Sequence, residues 1–272
     1  MKAIAHLSSV GGLAIIAFAA MVAFPPEVTA TELSPTESSL TLGAGIGVVP
    51  DYLGSNKNKA VPMLLLDYQH RNGLFASTQR GIGWAGEHGV FHYSFAVNGR
   101  AERTDQDHRS LDFKTGSSEL LGMGRVKASV VGQGTFTVRL GDSASVHMAV
   151  EAPLTQRDNG RTVQFGGDYT VWRSARNSIA LNGSLDLGDR KYMQTYFGVT
   201  QAQSLASGYA NYTPAAGLYK ANLSLGWTHR VDTHWRVVTV AGAERLLSDA
   251  GDSPLARRKT APQAGVLVSY SY

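Results

Sequence analysis

The sequence predicts an all-β protein, a closed antiparallel transmembrane β-barrel of about twelve strands, with ten to fourteen compatible with the pattern. Three observations lead there: apolar residues at every second position along most of the chain, an export leader at the start, and no cysteine among the 272 residues. Period two places alternate side chains on opposite faces of a strand. Leu42, Ala44, Ile46 and Val48 oppose Gly43, Gly45 and Gly47; Phe91, Tyr93, Phe95 and Val97 oppose His92, Ser94, Ala96 and Asn98. The same alternation runs through Val146–Val150, Val163–Val171, Ile179–Leu187 and Tyr219–Trp227. Most runs approach the ~9–11 residues that a tilted membrane-crossing strand needs, against about five or six for a soluble strand.

The leader has Lys2, an uncharged stretch from Val10 to Phe24, and Val28-Thr29-Ala30 as small or apolar residues before a cleavage site after Ala30. Its apolar core of about 15 residues is short against the ~20 of a spanning helix. The expected division is a cleaved signal peptide over 1–30 and a barrel over 31–272. Charged residues are 17% of the chain, below the roughly one quarter of soluble domains. The net charge is +4 with no basic run interleaved with aromatics, so nucleic acid is not the expected partner. Without cysteine there are no disulfides, no thiol chemistry and no cysteine zinc site, so closure of the sheet has to replace the staples of many exported domains.

Strands are expected near 39–49, 61–70, 73–80, 90–100, 124–140, 143–152, 161–172, 178–187, 191–200, 217–229, 233–246 and 262–272. The segment 124–140 reads as one strand bent at Gly132-Gln133-Gly134, and helices are expected to be minor. Aromatics near strand ends, Trp84, Trp172, Tyr219, Trp227, Trp235, Tyr270 and Tyr272, fit girdles at both membrane interfaces. Short turns belong on the periplasmic side and long loops outside. Counted back from the C-terminus, 201–216 and 247–261 fall outside but 101–123 falls inside, so at least one of these strands is misplaced. The last strand, Val266 to Tyr272, ends on an aromatic, like the signal that the barrel assembly machinery reads.

Catalytic candidates are few. His92 and Ser94 share a strand face, and Glu151 and Asp168 lie on other polar faces, but Ser and His are common lumen residues and no hydrolase is expected. The scattered histidines give no metal spacing, and Gly43-x-Gly45-x-Gly47 lacks the helix of a nucleotide loop. No cofactor is expected. Arg125, Lys127, Arg139, Glu151, Asp168, Asp186, Lys220, Arg236 and Glu244 line the expected lumen, either tuning ion flow or pairing with one another.

Ordered motifs run through the mature chain. Pro50-Asp51-Tyr52-Leu53-Gly54-Ser55 follows the first strand, and Pro62 and Tyr68 lie in the second; Gly122-Met123-Gly124 marks the middle. Tyr196-Phe197-Gly198-Val199 precedes Ser207-Gly208-Tyr209, Tyr212 and Gly217-Leu218. Trp235 leads to Leu246, Asp249, Ser253 and Pro254. This set resembles the MipA/OmpV family of outer-membrane proteins. The resemblance implies a non-enzymatic barrel in the outer membrane of a Gram-negative cell. It also implies a scaffold role, holding a lytic transglycosylase with a bifunctional penicillin-binding protein. Other members imply osmotic adaptation or adhesion, and a small-solute channel is the further alternative. The family supplies no catalytic residues; the residues carried by motif are Tyr52, Gly54, Ser55, Tyr196, Phe197, Gly198, Val199, Ser207, Gly208, Tyr212, Gly217, Leu246, Asp249, Ser253 and Pro254.

Overall fold

Fourteen strands and three short α-helices are defined in a computed structural model, which describes residues 38–110 and 113–272. The expected leader and its cleavage after Ala30 lie outside the described residues. The strands are β1 (Ser39–Pro50), β2 (Asn58–Gln69), β3 (Leu74–Ser77), β4 (Gly81–His88), β5 (Phe91–Arg100), β6 (His108–Ser110), β7 (Phe113–Thr115), β8 (Ser129–Leu140), β9 (Ala144–Pro153), β10 (Thr162–Arg173), β11 (Asn177–Gly188), β12 (Gly217–Arg230), β13 (Trp235–Leu246) and β14 (Thr260–Ser271). The helices are α1 (Arg190–Phe197), α2 (Gln201–Ser207) and α3 (Ser248–Asp252). Twelve strands close an antiparallel barrel in chain order, with β1 sealing against β14; β6 and β7 form a separate hairpin. The fold class is therefore the one the alternation predicts.

Two errors cancel in the strand count. The window 191–200 is not a strand but α1, whose Asp189 caps the helix by accepting from the Tyr192 N–H at 2.8 Å. The window 73–80 holds only the four-residue β3, and β4 was missed because its alternation is broken by Gly81, Gly83 and Gly86. The expected strand 124–140 begins only at Ser129, so Arg125 and Lys127 sit in a loop rather than in the lumen. With α1 removed from the count, every long connection, including 101–128, falls at one end. The tight turns 70–73, 89–90, 141–143, 174–176 and 231–234 fall at the other. The conflict in loop sidedness disappears.

Parity sorts the wall into two faces. Leu42, Ile46, Val48, Phe165, Leu185, Leu225, Val266 and Val268 are exposed on the outer face. So large an apolar surface is stable only against lipid. Inside, Val49, Val61, Met63, Leu65, Val238, Val240 and Leu267 pack as an apolar half-wall from β1, β2, β13 and β14. The other half is polar, with His147, Asp168, Asn182, Asp186 and Ser224 on β9 to β12. Gly45 faces inward at the closing seam, and a Cβ there would lie 2.0 Å from the Val266 carbonyl oxygen. Only glycine lets β1 approach β14 so closely.

The aromatic girdle occupies one rim, not two. Trp84, Trp172, Trp227 and Trp235 all sit outward beside the tight turns, with Tyr68, Tyr270 and Tyr272. Tyr270 meets Trp235 edge-on at 5.0 Å, and the Trp84 indole N–H donates to the Asn72 carbonyl of its turn at 2.9 Å. At the long-loop end the outer row is aliphatic: Val48, Ala60, Val163 and Ala243. Tyr219 lies at that end but is buried inside. A bulge between Asp186 and Leu187 of β11 against β12 reverses its parity.

Two outcomes follow. In proteoliposomes with one orientation, a membrane-impermeant quencher added to one side should reach all four tryptophans or none; partial quenching would contradict the single girdle. Gly45→Val should force β1 from β14 at a cost of at least ~2 kcal/mol, read as loss of the compact, heat-modifiable band on electrophoresis.

Candidate functional site

The residues singled out by motif converge on the long-loop end, where they build a cap over the barrel mouth. Its centre is α1. Asp189 fixes its start, and Tyr192, Met193 and Phe197 are buried, Phe197 completely. These side chains pack with Tyr219, Leu246 and Ala250, and with Leu53, Tyr196 and Ala256 at the margin. The contacts come from β12, β13, α3 and the β1–β2 loop, so the helix spans the opening.

Two arginines hold α1 in place. Arg100, at the end of β5, donates to Glu151 Oε1 at 2.7 Å and to the carbonyls of Asn159 and Gly160 at 2.8 and 3.0 Å. Its guanidinium also lies 5.3 Å from the Tyr192 ring centroid. Arg103 donates to the carbonyls of Tyr196 and Thr195 at 2.8 and 3.0 Å, in the last turn of α1. Those carbonyls have no partner within the helix, and a cation there meets the negative end of the helix dipole. Gly160 is pressed so close that a Cβ would fall 2.0 Å from the Tyr192 nitrogen.

Above α1 lies a second layer made of Tyr52, Leu120, Met123, Val199 and Leu255, flanked by Tyr209 and Tyr212. The motif residues interlock here. Tyr52 donates to the Leu255 carbonyl at 3.1 Å, and Ser253 to the Phe197 carbonyl at 2.6 Å. Tyr212 donates to the Asp249 carbonyl at 2.8 Å, while Asp249 accepts from the Ala215 N–H at 2.7 Å. Val199 and Tyr212 pair as an isolated bridge. Gly54 (φ +96) passes beneath Ala256 and Leu246, and its carbonyl accepts from the Arg258 N–H at 2.9 Å. Ser55 donates to Glu119 at 3.2 Å. Gly198 ends α1; Ser207 and Gly208 (φ +79) end α2; Gly217 opens β12; Pro254 sits between Ser253 and the buried Leu255. Burial pushes the Tyr52, Tyr192 and Tyr212 phenols above their ordinary range, so they stay neutral donors.

Below the cap, Lys220 Nζ lies 3.9 Å from Asp186, and Gln164 donates to Asp186 at 2.9 Å. His147 Nδ1 lies 3.6 Å from Asp168, which also accepts from Ser145. The lumen charges thus pair with one another here. His92 and Ser94 are not brought together as a catalytic pair. His92 Nδ1 is 3.2 Å from Glu87, and neither ring nitrogen has a hydrogen-bond partner. Among the described residues no cluster has the make-up of a metal site. Arg100 and Arg103 escaped the sequence reading because isolated arginines in a polar stretch carry no spacing signal.

Arg103→Ala should strip the last turn of α1 of its donors, at about 2–4 kcal/mol of local stability. Hydrogen exchange of α1 amides should accelerate while barrel amides stay protected. Ser253→Ala should act the same way more weakly, by ~1 kcal/mol.

Three solved barrels are similar. OprB of Pseudomonas putida has 11% identity and a TM-score of 0.40, over 79% of this chain and 49% of that one. The chain therefore spans about half of OprB's length. A KdgM porin has 12% identity and a TM-score of 0.39, over 86% and 99%. A TodX monoaromatic hydrocarbon channel mutant has 10% identity and a TM-score of 0.39, over 93% and 94%. No curated protein matches the sequence. The family described as MltA-interacting protein MipA matches residues 42–272, from within β1 to the last residue. The chain, a transmembrane barrel of the outer-membrane kind, belongs to the MltA-interacting protein family.

Proposed function

We propose that the protein is a non-enzymatic scaffold of the outer membrane, which docks a lytic transglycosylase and a bifunctional penicillin-binding protein. Membership of a family described by its interaction with MltA carries this reading. A mouth filled by α1 and its aromatic neighbours supports it, because the interior is built to be packed at that end. Export by a leader cleaved after Ala30, and assembly through the strand ending at Tyr272, belong to the same reading.

Partners that act on the cell wall meet the protein from the periplasm, where the tight turns face if the long loops lie outside. Arg71, Arg176 and Arg230 are exposed at those turns and offer positive charge to an acidic partner surface. A pull-down from solubilised envelopes should recover both enzymes. Combined reversal of Arg71, Arg176 and Arg230 to Glu should reduce recovery several-fold. Recovery of neither enzyme by the wild-type barrel would overturn the scaffold.

One observation favours a small-solute channel instead: the paired charges Asp186, Lys220 and His147 in the polar half of the interior. The capped mouth argues that planar-bilayer recording will show no discrete conductance steps, and regular steps would favour the channel.

A further inference from the structure

Arginine gathers on the inner face at the end of the barrel opposite the cap. Residues paired across neighbouring strands share one face of the wall. Arg173 of β10 pairs with Ser178 of β11, Ser178 with Thr228 of β12, and Thr228 with Val238 of β13. Val238 belongs to the inner wall, so Arg173 points inward. Arg230 pairs with Arg236, which precedes Val238 by two residues and shares its face. Arg139 of β8 pairs with Ser145, and Ser145 with Asp168 of the lumen, so it points inward as well. Each of these arginines lies within two residues of a tight turn. Arg176 joins them from the turn between β10 and β11, where its carbonyl accepts the Arg230 N–H at 2.7 Å.

Folding alone does not call for this arrangement. Like charges directly opposite in a ladder destabilise it, and Arg230 against Arg236 is such a pair. Between Arg139 and Arg236 the tight turns carry two carboxylates, Asp142 and Asp232. Asp232 is engaged by its own turn, accepting the His234 and Trp235 N–H groups at 2.8 and 2.7 Å. Among the described residues, Arg139, Arg176 and Arg230 form no ion pair.

This mouth faces water. Arg139, Arg173, Arg176 and Arg230 are exposed, and the tight turns are too short to fold across the opening. Ser178 and Ser269 are buried beneath them as a hydroxyl-bearing floor, with Ser269 paired to Arg236 in the ladder. The wall itself separates these inward side chains from lipid headgroups.

The spacing of the charges selects the ligand. Neighbouring strands lie ~4.8 Å apart. The arc from Arg173 to Arg236 therefore spans about 14 Å along the wall, and the arc from Arg139 about 24 Å. A single small anion meets only the Arg230–Arg236 pair. A phosphate chain packs its charges far more densely than arginines on alternate strands, which stand about 10 Å apart. An extended peptide sets the side chains of one face about 7 Å apart, within reach of such arginines. Each carboxylate can then take two parallel N–H bonds from a guanidinium.

We propose that the tight-turn mouth is a docking site for an extended acidic peptide segment, whose carboxylates pair with Arg139, Arg173, Arg230 and Arg236. The site is separate from the scaffold reading, because it specifies a peptide chemistry and not which protein carries it.

Fluorescence anisotropy with the folded barrel in an uncharged maltoside detergent tests it. The probe is a dye-labelled peptide of alternating Glu and Ser, compared with the same peptide carrying Gln for Glu. Heat-modifiability confirms that each variant is folded. The Glu peptide should bind and the Gln peptide should not. Arg230→Gln with Arg236→Gln should weaken binding at least several-fold. Arg245→Gln with Arg257→Gln removes the same charge from the long-loop end and should change affinity less than two-fold. Equal losses in the two double variants, or no binding by the wild type, would overturn the site. Inorganic tripolyphosphate displacing the probe better than unlabelled peptide, at equal concentration of charge, would overturn the choice of a peptide. Recovery of cell-wall enzymes from envelopes is a separate readout: its failure leaves peptide binding standing, and failure of peptide binding leaves docking through other contacts standing.

Discussion

Hydrocarbon offers no partner to a peptide N–H or C=O, so a sheet inside it must satisfy every strand from within. Sealing β1 against β14 answers that demand, and the rest of the molecule follows from it. Closure makes disulfides unnecessary and divides side chains by parity into a lipid face and an interior. It also requires the tight seam in which Gly45 leaves room for the Val266 carbonyl. The charges then have one sheltered place to go. Asp186, Lys220, Asp168 and His147 face inward and settle against one another.

A closed cylinder still has an open mouth, and its polar and aromatic lining must be covered. α1 does this, although a two-turn helix with no acidic residue in its first turn and no basic residue in its last is unstable alone. Its stability is borrowed from the wall: Asp189 at the start, Arg103 at the end, Arg100 across Tyr192. The bulge on β12 serves the same end. Without the extra residue, Tyr219 would share the outward parity of Ala221 and Leu223, and Tyr192 would lose the ring at 4.9 Å.

Strict alternation on a long strand has one reading, so β1, β9, β10, β12 and β14 were legible to within a few residues. Three kinds of element were not. β4 was hidden because glycine at alternate positions erases the apolar mark on that face. α1 was read as a strand because Tyr192, Tyr196 and Val199 favour strands and Tyr192, Gln194 and Tyr196 can be counted by twos. Yet the helical signal was present, since Tyr192, Met193, Tyr196 and Phe197 recur at the spacing of one helix face behind an aspartate cap. The motif residues were located, but not their assembly. That Ser253 reaches the Phe197 carbonyl depends on closure of the barrel, which no local spacing encodes.

The helical features gather at one end of the molecule. The helical cap and the bulge at Tyr219 lie toward the long loops, while the other end has the tight turns, the short β3–β4 pair, a bulge at Thr170–Trp172 and the aromatic girdle. The capped end carries a short helix that depends on Arg100 and Arg103, part-buried arginines, for its place. The residues that carry the family resemblance lie chiefly there, most of them bonded to one another within the cap. They therefore record how the cap is built. The exposed turn residues Arg71, Arg176 and Arg230 take no part in that packing.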